Sequence, residues 1–321
     1  MKEYLVGTRP QPAPGELVSA LVPPPHFKHA TLASYQPNAT FPSQGQARDA
    51  VAEFARLTLG RRRPARGTGL YLDGGFGVGK THLLAALAHA ADGRAAYGTF
   101  VEFTHLVGAL GFSAARDALS EFRLVAIDEF ELDDPGDTLL ISRMMRELTD
   151  AGVFIAATSN TPPGALGQGR FAADDFTREI QALADTFTVV SIDGPDYRHR
   201  EDLEYASPTL TENVAGQVVE PWLALVEDLV NVHPSKYGAY VDGIASLGLI
   251  GVAQLPDQAR ALRVVALVDR LYDRDVRISY SGVPIDRIFS ADMLAGGYRK
   301  KYLRALSRLA AMVAPDGPAA F

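Results

Sequence analysis

The chain has 321 residues, 47% hydrophobic and 21% charged, with a net charge of −7 and no cysteine. This length suits one large domain plus a smaller one, each with a sizeable core, and the acidic balance argues against a protein that coats DNA or RNA. The lack of cysteine excludes disulfides, thiolate zinc sites and a cysteine nucleophile. The lack of an 18-residue apolar run or a signal-peptide core makes the cytoplasm the expected compartment.

Residues 1–25 carry Pro10, Pro12, Pro14, Pro23, Pro24 and Pro25 and read as an extended arm. In the aromatic segment that follows, Phe27 and Tyr35 are candidates to close over a nucleotide base, or simply to pack the next helix. That helix is expected over roughly 44–59, with Ala47, Val51, Phe54 and Leu57 at helical spacing. Arg61, Arg62, Arg63 and Arg66 read as a solvated connector. His26 and His29 have no partner ligands at zinc spacing.

The apolar run Leu70-Tyr71-Leu72 leads into Gly74-Gly75-Phe76-Gly77-Val78-Gly79-Lys80-Thr81, followed by His82. Every fixed position of G-x-x-x-x-G-K-[ST] is met, and Leu83, Leu84, Leu87 and Ala88 continue in helical pattern. Glycines allow backbone N–H groups to turn inward around phosphate oxygens, and the helix that starts near Gly79 points its positive end at the anion. Lys80 is expected to reach the β- and γ-phosphates of ATP, and Thr81 to ligate Mg2+ through its hydroxyl.

A strand is expected over 95–103, then helices over 105–110 and 114–122. The run Leu124-Val125-Ala126-Ile127-Asp128-Glu129 reads as a buried parallel strand with two carboxylates at its tip. Asp128 is placed near the metal, and Glu129 as general base for an attacking water. A helix over 137–151 precedes a strand over 153–158 that ends in Ser159-Asn160. If this strand neighbours the Asp128 strand, Asn160 orients the water or senses the γ-phosphate. Otherwise it caps the turn at Thr161-Pro162-Pro163. In the Gly- and Arg-containing stretch 164–185, Arg170 is the candidate to supply charge to a neighbouring subunit's site, ahead of Arg178, which looks helical beside Glu179.

A fifth strand is expected over 186–192, and residues 199–219 read as a linker at a domain boundary. Beyond it the pattern predicts helices over 221–232, 258–272 and 298–313 and strands over 244–252 and 276–281. The last helix carries Lys300, Arg304 and Arg308 on one stripe, either a solvated face or a lid from which Arg308 reaches the nucleotide. Together these elements predict an α/β fold of P-loop NTPase type. A mostly parallel five-stranded sheet is flanked by helices and joined to a mainly helical α+β domain. The expected division is an arm and adenine-side segment (1–43), a nucleotide-binding core (44–200) and a lid or partner domain (201–321).

The segments LYLDGGFGVGKTH (70–82), VAIDEF (125–130), TSN (158–160), DYRHR (196–200), ALRVVALVDRLYDRDV (261–276) and GGYRKKYLRALSRL (296–309) resemble the ZapE-type (AFG-like) family of AAA+ cell-division ATPases, especially its shorter actinobacterial-type members. The Val-Asp-Arg-Leu-Tyr-Asp helix and the late Ser-Arg-Leu are the most particular of these. The family's Gly-Leu-Gln-Arg segment reads Gly167-Gln168-Gly169-Arg170 here. The resemblance implies an AAA+ ATPase using ATP and Mg2+, completed as a nucleotide-dependent homo-oligomer. It also implies action on the tubulin-like division protein FtsZ, at the division site and peripheral to the inner membrane through partners. The same residues are compatible with a DNA-acting protein of helicase-loader type, or with a non-catalytic adaptor gated by nucleotide.

Overall fold

The structure, a computed structural model, describes residues 3–58, 60, 66–75, 77–130, 135–162, 187–194 and 217–313. Short apolar runs form the five strands of the larger sheet: β1 (Gly69–Gly74), β2 (Ala95–Thr99), β3 (Leu124–Asp128), β4 (Phe154–Ser159) and β5 (Phe187–Ile192). All pairings are parallel, and the order is β2-β3-β4-β1-β5. β3 and β4 are buried along their whole length because helices cover both faces, so their sequences are continuously apolar rather than alternating. On one face Leu70, Leu72, Ala126 and Ala156 pack with α2 (Pro42–Thr58) and α3 (Lys80–Ala90). On the other, Tyr71, Val125, Ile127 and Ile155 pack with α1 (Pro14–Ser19), α4 (Phe100–Leu110), α5 (Phe112–Ser120) and α6 (Pro135–Asp150).

The insertion of β4 between β1 and β3 brings three carboxyl-terminal strand ends side by side. The second strand stops at Thr99, short of the expected 103. The apolar residues Phe100 and Phe103 belong instead to α4, which a capping box starts. Glu102 N–H donates to the Thr99 hydroxyl, and the Glu102 carboxylate accepts the Thr99 N–H at 2.7 Å. The outer edge of β2 is covered from upstream, where Tyr97 N–H donates to the Leu21 carbonyl at 2.9 Å and Leu21 is buried in the core. Arg123, just before β3, donates to the Thr58 and Gly60 carbonyls at 3.1 and 2.8 Å and so satisfies acceptors at the end of α2.

The smaller sheet holds β6 (Gln217–Pro221), β7 (Ser246–Val252) and β8 (Arg277–Gly282), all parallel, in the order β6-β7-β8. The linker expected over 199–219 therefore ends earlier, and its last residues are strand. The helix expected over 221–232 starts at Trp222 and passes at Leu229 into a tighter 3-10 turn. Strands alternate with α7 (Trp222–Asp228), α8 (Tyr237–Tyr240), α9 (Gln258–Tyr272), α10 (Ala291–Ala295) and α11 (Arg299–Val313). α9 has the bounds its periodicity predicts. It starts at Asp257, whose carboxylate accepts the Arg260 N–H at 2.8 Å, and it buries Ala261, Val264, Val265, Val268 and Leu271.

The contacts divide the chain into two units. One takes Ala13–Pro23 and Phe27–His199; the other takes Met1–Pro12, Pro24–His26 and Arg200–Phe321. The stretch expected to form one N-terminal arm is thus shared between them. Within the second unit Leu5 is fully buried in the core. The buried Glu220 carboxylate accepts the N–H groups of Leu5 and Val6, the latter at 3.0 Å. Arg9 donates to both oxygens of Asp228, at 2.8 and 3.2 Å, and the Tyr240 hydroxyl donates to the same carboxylate at 2.8 Å.

Burial pushes the Asp228 carboxyl up, but the donors Arg9, Tyr240 and the Gly7 N–H outweigh it and hold the group below the ordinary carboxylate value. A depressed carboxylate stabilises the fold above its unfolded pKa, about 3.9, and that contribution is lost as pH falls through the folded value. Thermal unfolding between about pH 3 and 7 is therefore expected to show an acid-side loss of stability that Asp228→Asn flattens. An unchanged profile in the variant contradicts this. Among the described residues no helix is long and apolar enough to cross a membrane.

Candidate nucleotide site

The loop after β1 is shaped by its glycines. Gly77 and Gly79 take φ of 79° and 87°, the left-handed region that side chains with a Cβ rarely adopt. A Cβ on Gly79 would lie 2.5 Å from Cε2 of Tyr35, and one on Gly74 2.3 Å from the Ile192 carbonyl, while Gly75 faces open space. α3 begins directly after Gly79, so its free N–H groups and positive end face the loop. The Lys80 ammonium is held by three acceptors: the Gly74 and Gly75 carbonyls at 2.9 and 2.6 Å and Asn160 Oδ1 at 2.9 Å. Lys80 and Asn160, 80 positions apart, are thereby joined at the tips of β1 and β4.

The acid pair lies at the tip of β3. Asp128 is 6% exposed, and its carboxylate accepts from Thr81 Oγ1 at 3.3 Å, from Tyr97 OH at 2.9 Å, from the Thr158 hydroxyl and from the Glu129 N–H at 3.1 Å. Burial pushes this carboxyl up, and repulsion from Glu129 adds to it; the three hydroxyl donors counteract. Glu129 is half-buried and takes φ +52°, a conformation uncommon for a residue with a Cβ. Its N–H is shared between Asp128 Oδ1 and Thr158 Oγ1, both at 3.1 Å, and these contacts hold the strained turn. Tyr97 and Thr158 have no part in the expected site. Thr158 stands two residues before Asn160, and Tyr97 two before the end of β2, so only strand register reveals them.

The other candidates are placed as follows. His82, on α3, contacts the Thr31 carbonyl at 3.0 Å and the Ser34 hydroxyl at 3.2 Å through Nε2. Phe27 stands edge-on to the His82 ring at a centroid distance of 6.4 Å, and Tyr35 lies 5.7 Å from it. The Tyr35 hydroxyl donates to the Val78 carbonyl at 2.9 Å, so this ring braces the loop backbone. Arg308 belongs to the second unit, where it pairs with Asp269 and lies over the Tyr272 ring at 5.3 Å. Arg304 reaches the same carboxylate at 3.1 Å. The side chains of Arg304 and Arg308 are 16% and 18% exposed, so these two do not lie on a solvated face, and the Lys300 side chain lies outside what the structure describes. Phe76, Arg170 and Arg178 lie outside the described residues.

The residues suit a nucleotide and a hard divalent cation. Gly77 and Gly79 hold the loop in a left-handed turn before the free N–H groups of α3, with open space at Gly75, and a hydroxyl and a carboxylate oxygen 3.3 Å apart are the hard oxygen donors that Mg2+ takes.

The model of the AFG1-like ATPase family matches residues 14–236 and 209–317. The chain is 28% identical over 313 residues to the cell division protein ZapE of Escherichia coli (strain K12), covering 79% of this chain and 80% of that protein. It is 25% identical over 229 residues to lactation elevated protein 1 homolog B of Danio rerio, covering 58% of this chain and 45% of that one. Among solved structures, domain III of the Thermotoga maritima replication initiation protein DnaA is similar, with TM-score 0.42, 22% identity and coverage of 54% and 69%. With the family model spanning most of the chain, and a phosphate loop and acid pair built on parallel strands that flank β4 in one sheet, the chain belongs to the AFG1-like ATPase family.

Proposed function

We propose that this ATPase hydrolyses ATP in an Mg2+-dependent reaction at the loop after β1 and spends the turnover on remodelling a protein partner in cell division. The observation that carries the reading is the convergence of Lys80, Thr81, Asp128, Glu129 and Asn160 on three neighbouring strand ends. Thr81 and Asp128 would hold Mg2+, which supplies charge neutralisation for the phosphates. Lys80 and the loop N–H groups bind phosphate oxygens. The Glu129 carboxylate accepts the proton of the attacking water, and the Asn160 amide orients that water. Arg170 contributes charge to the site of a neighbouring subunit, which makes the active form a homo-oligomer. The bracing geometry of Tyr35 supports a role in shaping the loop, and the pairing of Arg308 with Asp269 supports a structural role for that arginine within its own unit.

The similarity to ZapE supports a role in cell division; that the partner is the tubulin-like FtsZ and the place of action the cytoplasmic division site rests on the resemblance of residues 261–276 and 296–309 to that family. The test is phosphate release with and without Mg2+ and purified FtsZ, alongside sizing with a non-hydrolysable ATP analogue. The expected results are turnover only with Mg2+, altered FtsZ polymers in the presence of ATP, and a larger species with the analogue. Turnover without metal sinks the metal reading, and unaltered FtsZ polymers sink the partner. Salt-dependent capture of single-stranded DNA instead favours the helicase-loader reading.

A further inference from the structure

The carboxylate of Asp128 is held asymmetrically. Three donors meet Oδ1: the Thr158 hydroxyl, the Glu129 N–H and the Thr81 hydroxyl. Oδ2 accepts from the Tyr97 phenol at 2.9 Å. Tyr97 is 2% exposed, on a strand whose neighbours are apolar, and a phenylalanine would fill the same space. A phenol buried there needs an acceptor, and β2–β3 register places Tyr97 opposite Ala126, two residues from the acid, so that its hydroxyl reaches diagonally along the strand pair. Thr158 works from the other neighbour. Its hydroxyl donates to Asp128 and accepts from the Glu129 N–H, so one oxygen fixes both acids.

We propose that Tyr97 and Thr158 are positioning residues that lock the rotation of the Asp128 carboxylate, keeping Oδ1 beside Thr81 where a divalent cation bound with nucleotide is held. This rests on the proposed Mg2+–ATP reading. Neither residue touches the nucleotide; they act through Asp128. Partners of this kind orient a metal ligand, and losing one typically costs about 10–100-fold in metal affinity. Without the phenol Oδ2 loses its Tyr97 donor and the carboxylate is less restrained in rotation, which loosens the Thr81–Asp128 pair, already at a long 3.3 Å.

The experiment measures binding of a fluorescent, non-hydrolysable ATP analogue by anisotropy, in EDTA and across a Mg2+ titration. For Tyr97→Phe the Mg2+ concentration at half-effect is expected to rise about 10-fold, with affinity in EDTA within about twofold of the unaltered chain. Thr158→Val is expected to behave alike, whereas Thr158→Ser, which keeps the hydroxyl, restores the normal Mg2+ response. Circular dichroism melting identifies any variant that does not fold, and the Thr158 pair then carries the test. The proposal is overturned if Tyr97→Phe responds to Mg2+ normally, or if affinities with and without metal fall together. A different failure, indifference of the unaltered chain to Mg2+, removes the metal reading on which the proposal rests.

Discussion

Replacing Glu129 by glutamine is expected to lower ATP turnover by about 10²–10³-fold while leaving affinity for a non-hydrolysable analogue within a few-fold, since general-base catalysis typically contributes about 10²–10⁴-fold. Glutamine has the same shape and keeps a carbonyl to orient water, but it cannot take a proton. The strained turn at this position depends on the backbone N–H, donated to Asp128 and Thr158, and the substitution leaves that group in place. Folding is therefore preserved, as a melting curve would verify. Removing one negative charge beside the buried Asp128 also relieves the repulsion that helps to push that carboxyl up, which favours the form able to hold a cation. Single-turnover phosphate release and analogue binding separate the two effects. Turnover within about threefold of normal, against an expectation of at least 10², removes Glu129 from the role of base.

Lys80→Ala acts at an earlier step. Charge-assisted hydrogen bonds contribute about 1.5–3 kcal/mol, so nucleotide affinity is expected to fall about 10–100-fold and turnover further still. The alanine also leaves the Gly74 and Gly75 carbonyls and Asn160 Oδ1 without their shared donor, which loosens the link between the tips of β1 and β4. Lys80→Arg does not repair this, because a planar guanidinium cannot place three donors where one ammonium does. Calorimetry with ADP and with the ATP analogue distinguishes the outcomes. Equal affinity in the alanine variant would show that the ammonium serves the loop alone.

Much of the fold is legible in the sequence where local chemistry sets it. The glycine spacing of residues 74–79 requires a turn that only glycines make, and the single apolar stripe of α9, started by the Asp257 cap, marks its bounds. The strand β2 is misread toward Phe103 because apolar residues continue past Thr99, and the stop is a Thr-x-x-Glu box rather than a change in hydropathy. β6 is hidden because it is five residues long, ends in proline and follows a polar stretch. In the site, Lys80, Thr81, Asp128, Glu129 and Asn160 are marked by motif. Tyr97 and Thr158 depend on which strands become neighbours, information that no local window carries. The Arg304–Arg308 stripe misleads for the same reason, since its partner Asp269 sits on a different helix.

The packing of Leu5, Val6 and Arg9 against Glu220 and Asp228 has a consequence for the timing of biosynthesis. Val6 meets Glu220 across 214 positions and Arg9 meets Asp228 across 219. At about 5–20 residues per second, residues 5–9 wait roughly 10–40 s for their partners to be made. Meanwhile the phosphate-loop unit, whose strands lie closer in sequence, is free to assemble. The unit that holds residues 200–321 can finish its core only by recapturing residues 5–9, so a chain stalled on the ribosome before about residue 220 is expected to leave those residues open to protease.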